Sequence, residues 1–185
     1  MMDETASAVD LKEEGLRLFQ EGLYEEAVAK FEKAQEMFTG EGNQIEAAEM
    51  MNNLGVIYRM QGQWDEAIAA LVDAKAAFVR LGDHSREAQT LGNLGGLYAS
   101  KGERDKAQEC LRQAADIFAE LGDEQRRGET LLALGVQEWK TGERSDGLAT
   151  YEAGLDTLEK PTMSQKALRS LLRLRNRVLS GKEQG

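Results

Sequence analysis

Apolar residues recur along this chain every three or four positions, in segments that short glycine-containing breaks separate. Between Met51 and Tyr58 the apolar residues fall on one helical face. Gly62 interrupts the pattern, and a second apolar face runs from Ala67 to Phe78. No window alternates apolar β-branched residues with polar ones, which would indicate a strand. The pattern therefore predicts an all-α protein whose helices come in pairs.

The pattern repeats every 40 residues without insertion or deletion. The segment NLGVIYRMQGQWDEAIAAL, which begins at Asn53, aligns with NLGGLYASKGERDKAQECL, which begins at Asn93. Small and aromatic residues recur in fixed registers, among them Gly15, Gly55, Gly95 and Gly135, then Gly22, Gly62, Gly102 and Gly142, and Phe38, Phe78 and Phe118. Ala27, Ala67 and Ala107 share another register, which Gly147 occupies in the fourth copy. Four copies are expected, at about 8–47, 48–87, 88–127 and 128–161, and the whole chain, residues 1–185, is expected to form a single domain.

Local signals also predict where helices end and how they pack. Gly82–Asp83 and Gly122–Asp123 follow the second helices, where a left-handed glycine can end one helix and an aspartate can cap the next. Gly55 and Ala67 are small residues on the two helices of one copy. They should allow these helices to approach closely.

The order Asn-Leu-Gly-x-x-Tyr, Gly, Ala, Ala, Phe resembles the tetratricopeptide repeat, over residues 8 to about 160. The resemblance implies an α-solenoid, a right-handed superhelix of four helix-turn-helix units whose first helices line a concave groove. The usual period is about 34 residues, so this chain resembles a variant with longer helices. Copy four departs from the pattern at Glu138, Gly147 and Gly154, as terminal repeats often do.

A further helix is predicted at about 162–180, because Pro161 breaks the register and Thr162 with Gln165 resembles a capping box. Its apolar side comprises Leu168, Leu171, Leu172, Val178 and Leu179, and its basic side comprises Lys166, Arg169, Arg173 and Arg177. We expect this capping helix to cover the apolar end of copy four. Binding to a membrane or an anionic partner is the alternative role of such a basic amphipathic helix.

Composition excludes several classes of function. The chain has 23 Lys and Arg against 33 Asp and Glu, and this net charge of −10 argues against nucleic-acid binding. One cysteine and one histidine provide neither a disulfide framework nor zinc ligands, so no metal or cofactor is expected. The start MMDETASAVD has no apolar core typical of a secretory signal, which favours a cytoplasmic protein.

No enzyme signature is present. His84 is expected in a solvated loop, and Cys110 is expected inside a helix as a small core residue. Neither has the base and orienting group that a nucleophile needs. The glycine-rich stretch 92–96 follows no strand and lacks the Lys-Ser/Thr ending of a phosphate-binding loop. We therefore expect no catalytic residues.

Helical spacing selects the residues that would face the groove. They are Lys12, Leu16 and Phe19 in copy one; Glu49, Asn52, Val56 and Arg59 in copy two; Gln89, Gly92, Gly96 and Ala99 in copy three; and Glu129, Leu132, Val136 and Trp139 in copy four. Asn53 and Asn93 border this face. Their amides either join neighbouring helices or bind the backbone of a peptide, and the sequence leaves both roles open.

Two further hypotheses concern this groove. Gly92 and Gly96 either reflect sequence drift in a helix that its neighbours hold in place, or they open a shallow pocket. Phe19, Met60 and Trp139 would supply apolar anchors around such a pocket. Relatives that hold acidic chaperone tails carry Lys, Asn, Asn, Lys and Arg as a carboxylate clamp. The equivalent residues here are Lys12, Leu16, Asn53, Gln89 and Asn93, of which only the first and third match. The sequence therefore disfavours an acidic tail as the ligand.

The resemblance implies a non-enzymatic interaction module that binds a protein or peptide segment in its groove. The alternative is a self-associating scaffold, so association with a second copy is left open. Nucleic-acid and membrane partners are not expected, and the basic C-terminal helix is the only segment suited to a membrane. Binding should depend only moderately on salt, because the groove mixes both signs of charge.

Overall fold

A computed structural model describes residues 6–182 of the chain, without the side chains of residues 176 and 178–182. Residues 1–5, which belong to the acidic start discussed above, and residues 183–185 lie outside this description. The described part contains helices and no strand. Its helices are α1 (Ala8–Gln20), α2 (Tyr24–Gly40), α3 (Gln44–Met60), α4 (Trp64–Leu81), α5 (His84–Lys101), α6 (Arg104–Glu120), α7 (Glu124–Thr141), α8 (Arg144–Thr157) and α9 (Met163–Lys182).

The predicted all-α architecture of helix pairs is confirmed. Helices α3, α5 and α7 begin at Gln44, His84 and Glu124, so the 40-residue period of the sequence is also the period of the structure. The repeat borders drawn from the sequence fall inside these helices, because a sequence period alone does not fix where a repeat begins. The assignment of the whole chain to one domain stays a prediction.

The predicted helix ends are confirmed at two loops. Gly82 and Gly122 both have φ of +69°, a left-handed conformation that glycine adopts without a steric penalty. The next residue caps the following helix in each case. Asp83 Oδ1 accepts a hydrogen bond from the backbone N–H of Arg86 at 3.0 Å, and Asp123 Oδ1 accepts one from Arg126 at 2.9 Å. These local signals end one helix and start the next.

Replacing Asp123 with alanine should lower the free energy of unfolding by about 1 kcal/mol at pH 7. The backbone N–H of Arg126 holds the pKa of Asp123 below its ordinary value of 3.8. The cap therefore stabilises the fold above pH 3.8 and loses this effect as the pH falls through the lower, folded-state pKa. Melting curves of the wild type and of Asp123→Ala should accordingly converge at acid pH.

Gln63→Ala is the control, because Gln63 precedes α4 without making a side-chain cap bond. An equal loss of unfolding free energy in Asp123→Ala and Gln63→Ala would contradict the role of Asp123 as a helix cap.

The chain divides into two compact units, Met1–Lys101 and Gly102–Gly185. In unit 1, which comprises α1 to α5, large side chains are completely buried between the helices, among them Phe31, Phe38, Met50, Ile57, Leu71 and Phe78. The predicted close approach of α3 and α4 is confirmed, because a Cβ atom on Gly55 would lie 2.6 Å from Leu71 Cγ and 3.3 Å from the Ala67 carbonyl oxygen. A side chain at residue 55 would therefore force these two helices apart.

Unit 2 comprises α6 to α9, and glycines bring α7 and α8 together in it. A Cβ atom on Gly147 would lie 2.6 Å from both the Gly135 carbonyl oxygen and the Trp139 nitrogen. One on Gly154 would lie 2.9 Å from the Gly128 carbonyl oxygen. The departures of copy four from alanine at 147 and 154 therefore have a packing reason.

Glu138, the other departure of copy four, is 5% exposed in unit 2. Its Oε1 atom accepts a hydrogen bond from Arg112 Nη2 at 3.0 Å. Its Oε2 atom is buried and has no hydrogen-bond partner among the described residues. The sequence offered no signal for this buried carboxylate, because its partner lies 26 residues earlier on another helix.

Helix α9 follows the predicted capping box, with Thr162 N–H donating to Gln165 Oε1 at 2.7 Å. The expectation that its apolar side covers copy four was wrong at two of the three predicted leucines whose side chains the structure describes. Leu168 and Leu171 are exposed and only Leu172 is half-buried, while the side chains of Val178 and Leu179 lie outside the description. Helix α8 is instead contacted by arginines of α9. Arg173 pairs with Asp156 at 2.6 Å, Arg175 pairs with Glu152, and Arg169 Nη1 donates to the Leu155 carbonyl oxygen.

Candidate functional site

A depression of about 170 Å³ lies in unit 1, where the first helices α1, α3 and α5 come side by side. Its apolar lining comprises Leu16, Phe19, Phe31 and Val56, and its polar lining comprises the amides of Asn52, Asn53, Gln89 and Asn93. No charged side chain lines it. The structure thus brings together seven residues that the sequence placed on or beside the groove, and it adds Phe31 of α2.

The amides that border the depression have different roles. Asn93 Nδ2 donates a hydrogen bond to Asn52 Oδ1 at 2.9 Å, which joins α5 to α3. Asn52 is only 6% exposed, so this bond satisfies a buried acceptor. Asn53 is half-buried and Gln89 is exposed, and neither side-chain amide forms a hydrogen bond with another described residue. The bond between helices is therefore confirmed for Asn93, whereas the role of Asn53 stays open.

Lys12 and Glu49, two of the charged residues predicted for the groove, belong to a network of ion pairs on α1, α3 and α5. Lys12 Nζ lies 2.7 Å from Glu46 Oε2 and 2.8 Å from Glu49 Oε1, so α1 is tied to α3. Arg86 of α5 then lies 3.2 Å from Glu49 and 2.8 Å from Asp83. The sequence assigned Lys12 and Glu49 to the groove but missed Glu46 and Arg86. These partners lie 34 and 37 residues from Lys12 and Glu49, which is beyond any local pattern.

The hydrogen bonds of this network favour the charged forms of Lys12 and Asp83. Burial would lower the pKa of Lys12, but hydrogen bonds with Glu46 and Glu49 outweigh that effect and raise the pKa above its ordinary value. Burial would likewise raise the pKa of Asp83, but hydrogen bonds from Arg86 lower it. The positive charge of Lys12 is thus compensated by two carboxylates. It is poorly placed to attract the carboxylate of a ligand.

The hypothesis that Gly92 and Gly96 together open a pocket is wrong. A Cβ atom on Gly96 would collide with Arg59 Nη1, so the guanidinium group of Arg59 occupies the space above Gly96. No atom of another helix lies within 4 Å of a Cβ atom placed on Gly92, but Gly92 does not line the depression. Of the three proposed apolar anchors, Phe19 lines the depression. Met60 is 50% exposed and does not.

Glu129 and Trp139 are two of the predicted groove residues of copy four, and both lie on α7 in unit 2. Glu129 is exposed and accepts a hydrogen bond from Gln125 on the same helix. Trp139 is 50% exposed, and the guanidinium carbon of Arg144 lies 5.8 Å from the centre of its ring. Both side chains are exposed, and their place in a binding groove stays a prediction.

The histidine and the cysteine of the chain lie on different helices, His84 on α5 and Cys110 on α6. His84 is exposed, as expected, but it begins α5 rather than lying in a loop, and its Nδ1 lies 3.0 Å from Glu87 Oε2 of the same helix. Cys110 is half-buried in α6. Within residues 6–182, no group of three or more His, Cys, Asp or Glu side chains is placed to hold a metal ion. No helix in this range is both long and apolar enough to cross a membrane.

Comparison with known families identifies the repeat. The tetratricopeptide repeat model matches residues 13–78 and 46–120, which together cover more than half of the chain. The chain belongs to the tetratricopeptide repeat family. No curated protein matches it significantly. The match to the repeat model confirms the resemblance drawn from the sequence. Tetratricopeptide repeats generally form scaffolds that contact other proteins.

Solved structures share this fold at low sequence identity. RapI in its apo form is 16% identical with a TM-score of 0.79, over 93% of this chain and 48% of RapI. The Rap conjugation gene regulator of plasmid pLS20, solved in complex with the Phr* peptide, is 20% identical with a TM-score of 0.71, over 95% and 53%. BtubC from P. vanneervenii is 20% identical with a TM-score of 0.67, over 90% and 64%. The chain thus spans about half to two thirds of these proteins.

Proposed function

We propose that this tetratricopeptide repeat protein is a non-enzymatic interaction module that binds an extended peptide segment across the depression in unit 1. The observation that carries the proposal is the lining of the depression, which combines apolar side chains with amides and has no charged group. An apolar side chain of the ligand would enter between Leu16, Phe19 and Val56. The amides of Asn53 and Gln89 would bind its backbone, since an amide can both donate and accept hydrogen bonds.

The size of the depression favours a peptide over a small molecule. A volume of about 170 Å³ is below the roughly 300–1,000 Å³ of pockets that enclose drug-sized ligands. It suits one side chain of a longer segment whose remaining atoms lie over the open surface. The pLS20 regulator shares the fold and was solved with a peptide. This likeness supports a peptide ligand here.

The chemistry of the depression also defines the ligand. Lys12 is the one cation at the positions of the family's carboxylate clamp, and its pairing with Glu46 and Glu49 makes it unsuited to bind a terminal carboxylate. The ligand segment should therefore be uncharged where it enters the depression. An internal segment with one apolar anchor fits these requirements better than an acidic tail.

Asn53→Ala should weaken peptide binding about 3–10-fold, the effect of losing one hydrogen bond to the ligand backbone. The probe is a peptide selected from a randomised nine-residue phage library on the wild-type protein, and the measurement is titration calorimetry. Val56→Lys should reduce affinity more strongly, because it places a charge inside the apolar lining. Gln61→Ala alters an exposed amide outside the depression and should leave affinity unchanged. Equal binding by all variants would show that the peptide binds elsewhere.

Salt should have little effect on this interaction. We expect the dissociation constant of the selected peptide to change less than about threefold between roughly 50 and 300 mM NaCl, since no charged side chain lines the depression. Titrations at several salt concentrations measure this directly. A steep loss of affinity would instead indicate a basic ligand that binds the acidic protein surface.

A further inference from the structure

Helix α9 presents an apolar face that no other described part of the chain covers. Met163, Leu171 and Leu174 lie on this face and are 80%, 67% and 57% exposed. The opposite side of α9 contacts α8 through half-buried Arg169 and Leu172. Three large apolar side chains aligned on one exposed helix face are typical of an interaction surface.

The charge of α9 restricts its partner. Residues 163–182 contain six Lys or Arg and no Asp or Glu, whereas the rest of the chain has 17 basic and 33 acidic residues. Two α9 helices of different copies would repel each other if they were paired face to face. An anionic membrane would attract α9 but repel the rest of the molecule, which carries a net charge of −16. The partner surface should therefore combine acidic groups with exposed apolar side chains.

Unit 1 carries such a surface on α4. Val72 and Val79 are 41% and 49% exposed, and Ala69 and Ala76 complete an apolar stripe at helical spacing. The acidic residues Asp65, Glu66 and Asp73 are exposed on the same helix, followed by Lys75 and Arg80. The stripe is particular to this copy, because α2 carries Glu32, Glu36 and Thr39 in the registers of Val72, Ala76 and Val79.

The acidic character of this surface extends from α4 to α2. Tyr58 donates a hydrogen bond to Glu32 at 3.3 Å. Burial raises the pKa of the Tyr58 hydroxyl, and the charges of Glu32 and Glu66 raise it further. Carboxylates of α2 and α4 therefore lie near the same tyrosine. Unit 1 as a whole contains 18 acidic and nine basic residues. Helices α2 and α4 thus carry acidic side chains that complement the basic residues of α9.

We propose that the apolar face of α9 in one molecule docks on the α4 stripe of a second copy. Leu171 and Leu174 pack against Val72 and Val79, and the basic residues of α9 lie beside the acidic residues of α4. The two surfaces differ, so the contact is heterologous. Each molecule retains one unused surface of each kind, and association proceeds to longer assemblies or closes into a ring. This contact leaves the depression of unit 1 outside the interface.

The test uses two double variants of the full chain. L171Q/L174Q removes the α9 surface and V72Q/V79Q removes the α4 surface. Light scattering after size exclusion, and sedimentation equilibrium, should show that the wild-type mass rises with concentration while each variant alone stays monomeric. An equimolar mixture of the two variants should form dimers and nothing larger, because each variant supplies the surface that the other lacks. V9Q/L23Q, which alters exposed apolar residues outside both surfaces, should associate like the wild type.

Several outcomes would overturn the proposal. A wild-type protein that stays monomeric up to several hundred micromolar would exclude self-association, and a mixture that stays monomeric would exclude the pairing of α9 with α4. The wild type is also sedimented with vesicles of phosphatidylcholine and phosphatidylserine. Binding that L171Q/L174Q abolishes, in a protein that remains monomeric, would assign the face to a membrane instead. Circular dichroism melting should be unchanged in all variants, since every replaced side chain is at least two fifths exposed.

Discussion

Replacing Gly147 with alanine is expected to destabilise the protein, although three other copies carry alanine in the same register. In this copy the added Cβ atom would lie 2.6 Å from the Gly135 carbonyl oxygen and 2.6 Å from the Trp139 nitrogen. These are backbone atoms and cannot change rotamer, so α7 and α8 must move apart. We expect the free energy of unfolding to fall by about 3 kcal/mol. The melting temperature should then fall by roughly 6–12 °C.

Gly92→Ala is the matched control for this prediction. Gly92 also lies within a helix, but an added Cβ atom would have no atom of another helix within 4 Å. The substitution should raise stability by up to about 1 kcal/mol, because alanine favours a helix more than glycine does. Opposite signs for these two substitutions in calorimetric melting would support the packing argument. If Gly147→Ala were as stabilising as Gly92→Ala, the close approach of α7 and α8 would be contradicted.

The fold could be predicted from the sequence because its signals are local and repeated. The left-handed glycine and aspartate cap at Gly82–Asp83 depend on a few neighbouring residues, and the buried phenylalanines recur every 40 residues. The role of Gly147 could not be predicted in the same way. It depends on the distance between the backbones of α7 and α8, which a helical pattern does not determine.

The candidate site was predictable as a face but not as a set of contacts. Helical spacing placed Leu16, Phe19 and Val56 on one surface, and the structure brings them together. Helical spacing could not predict that Arg59 lies over Gly96, because a long side chain can reach many positions on a neighbouring helix. Contacts between helices depend on rotamers and on residues far away in the sequence.

Helix α9 shows a different source of error. Its position and capping box were evident from the sequence, but Arg169 and Leu172, which the sequence assigned to different sides, both contact α8. The inference that the apolar side would contact copy four assumed that burial of leucines dominates the packing. In the structure, Asp156 and Glu152 of α8 attract Arg173 and Arg175, and this turns Leu171 toward solvent. An amphipathic pattern alone does not decide which side of a helix packs when the neighbouring surface carries charges.

Asn93→Ala should lower stability more than the same change at Asn53, because only Asn93 supplies a hydrogen bond that a buried group requires. Without Asn93, Asn52 Oδ1 would lose its donor in a site that is 6% exposed. An unsatisfied buried acceptor costs about 1–3 kcal/mol. Asn53→Ala provides the reference, since both asparagines are half-buried within helices and both changes gain the same helix propensity. The difference between the two unfolding free energies in urea should therefore be about 1–3 kcal/mol.

A third variant separates the hydrogen bond from other effects of residue 93. In the double variant Asn52→Ala and Asn93→Ala, no unsatisfied acceptor remains, so the second substitution should cost less than it does alone. We expect a coupling energy of about 1 kcal/mol between Asn52 and Asn93, and none between Asn53 and Asn93. If the effects of Asn52→Ala and Asn93→Ala were simply additive, the bond would contribute nothing to stability. The side-chain amides of Asn52 and Asn93 would then be available to a ligand in the same way as the amide of Asn53.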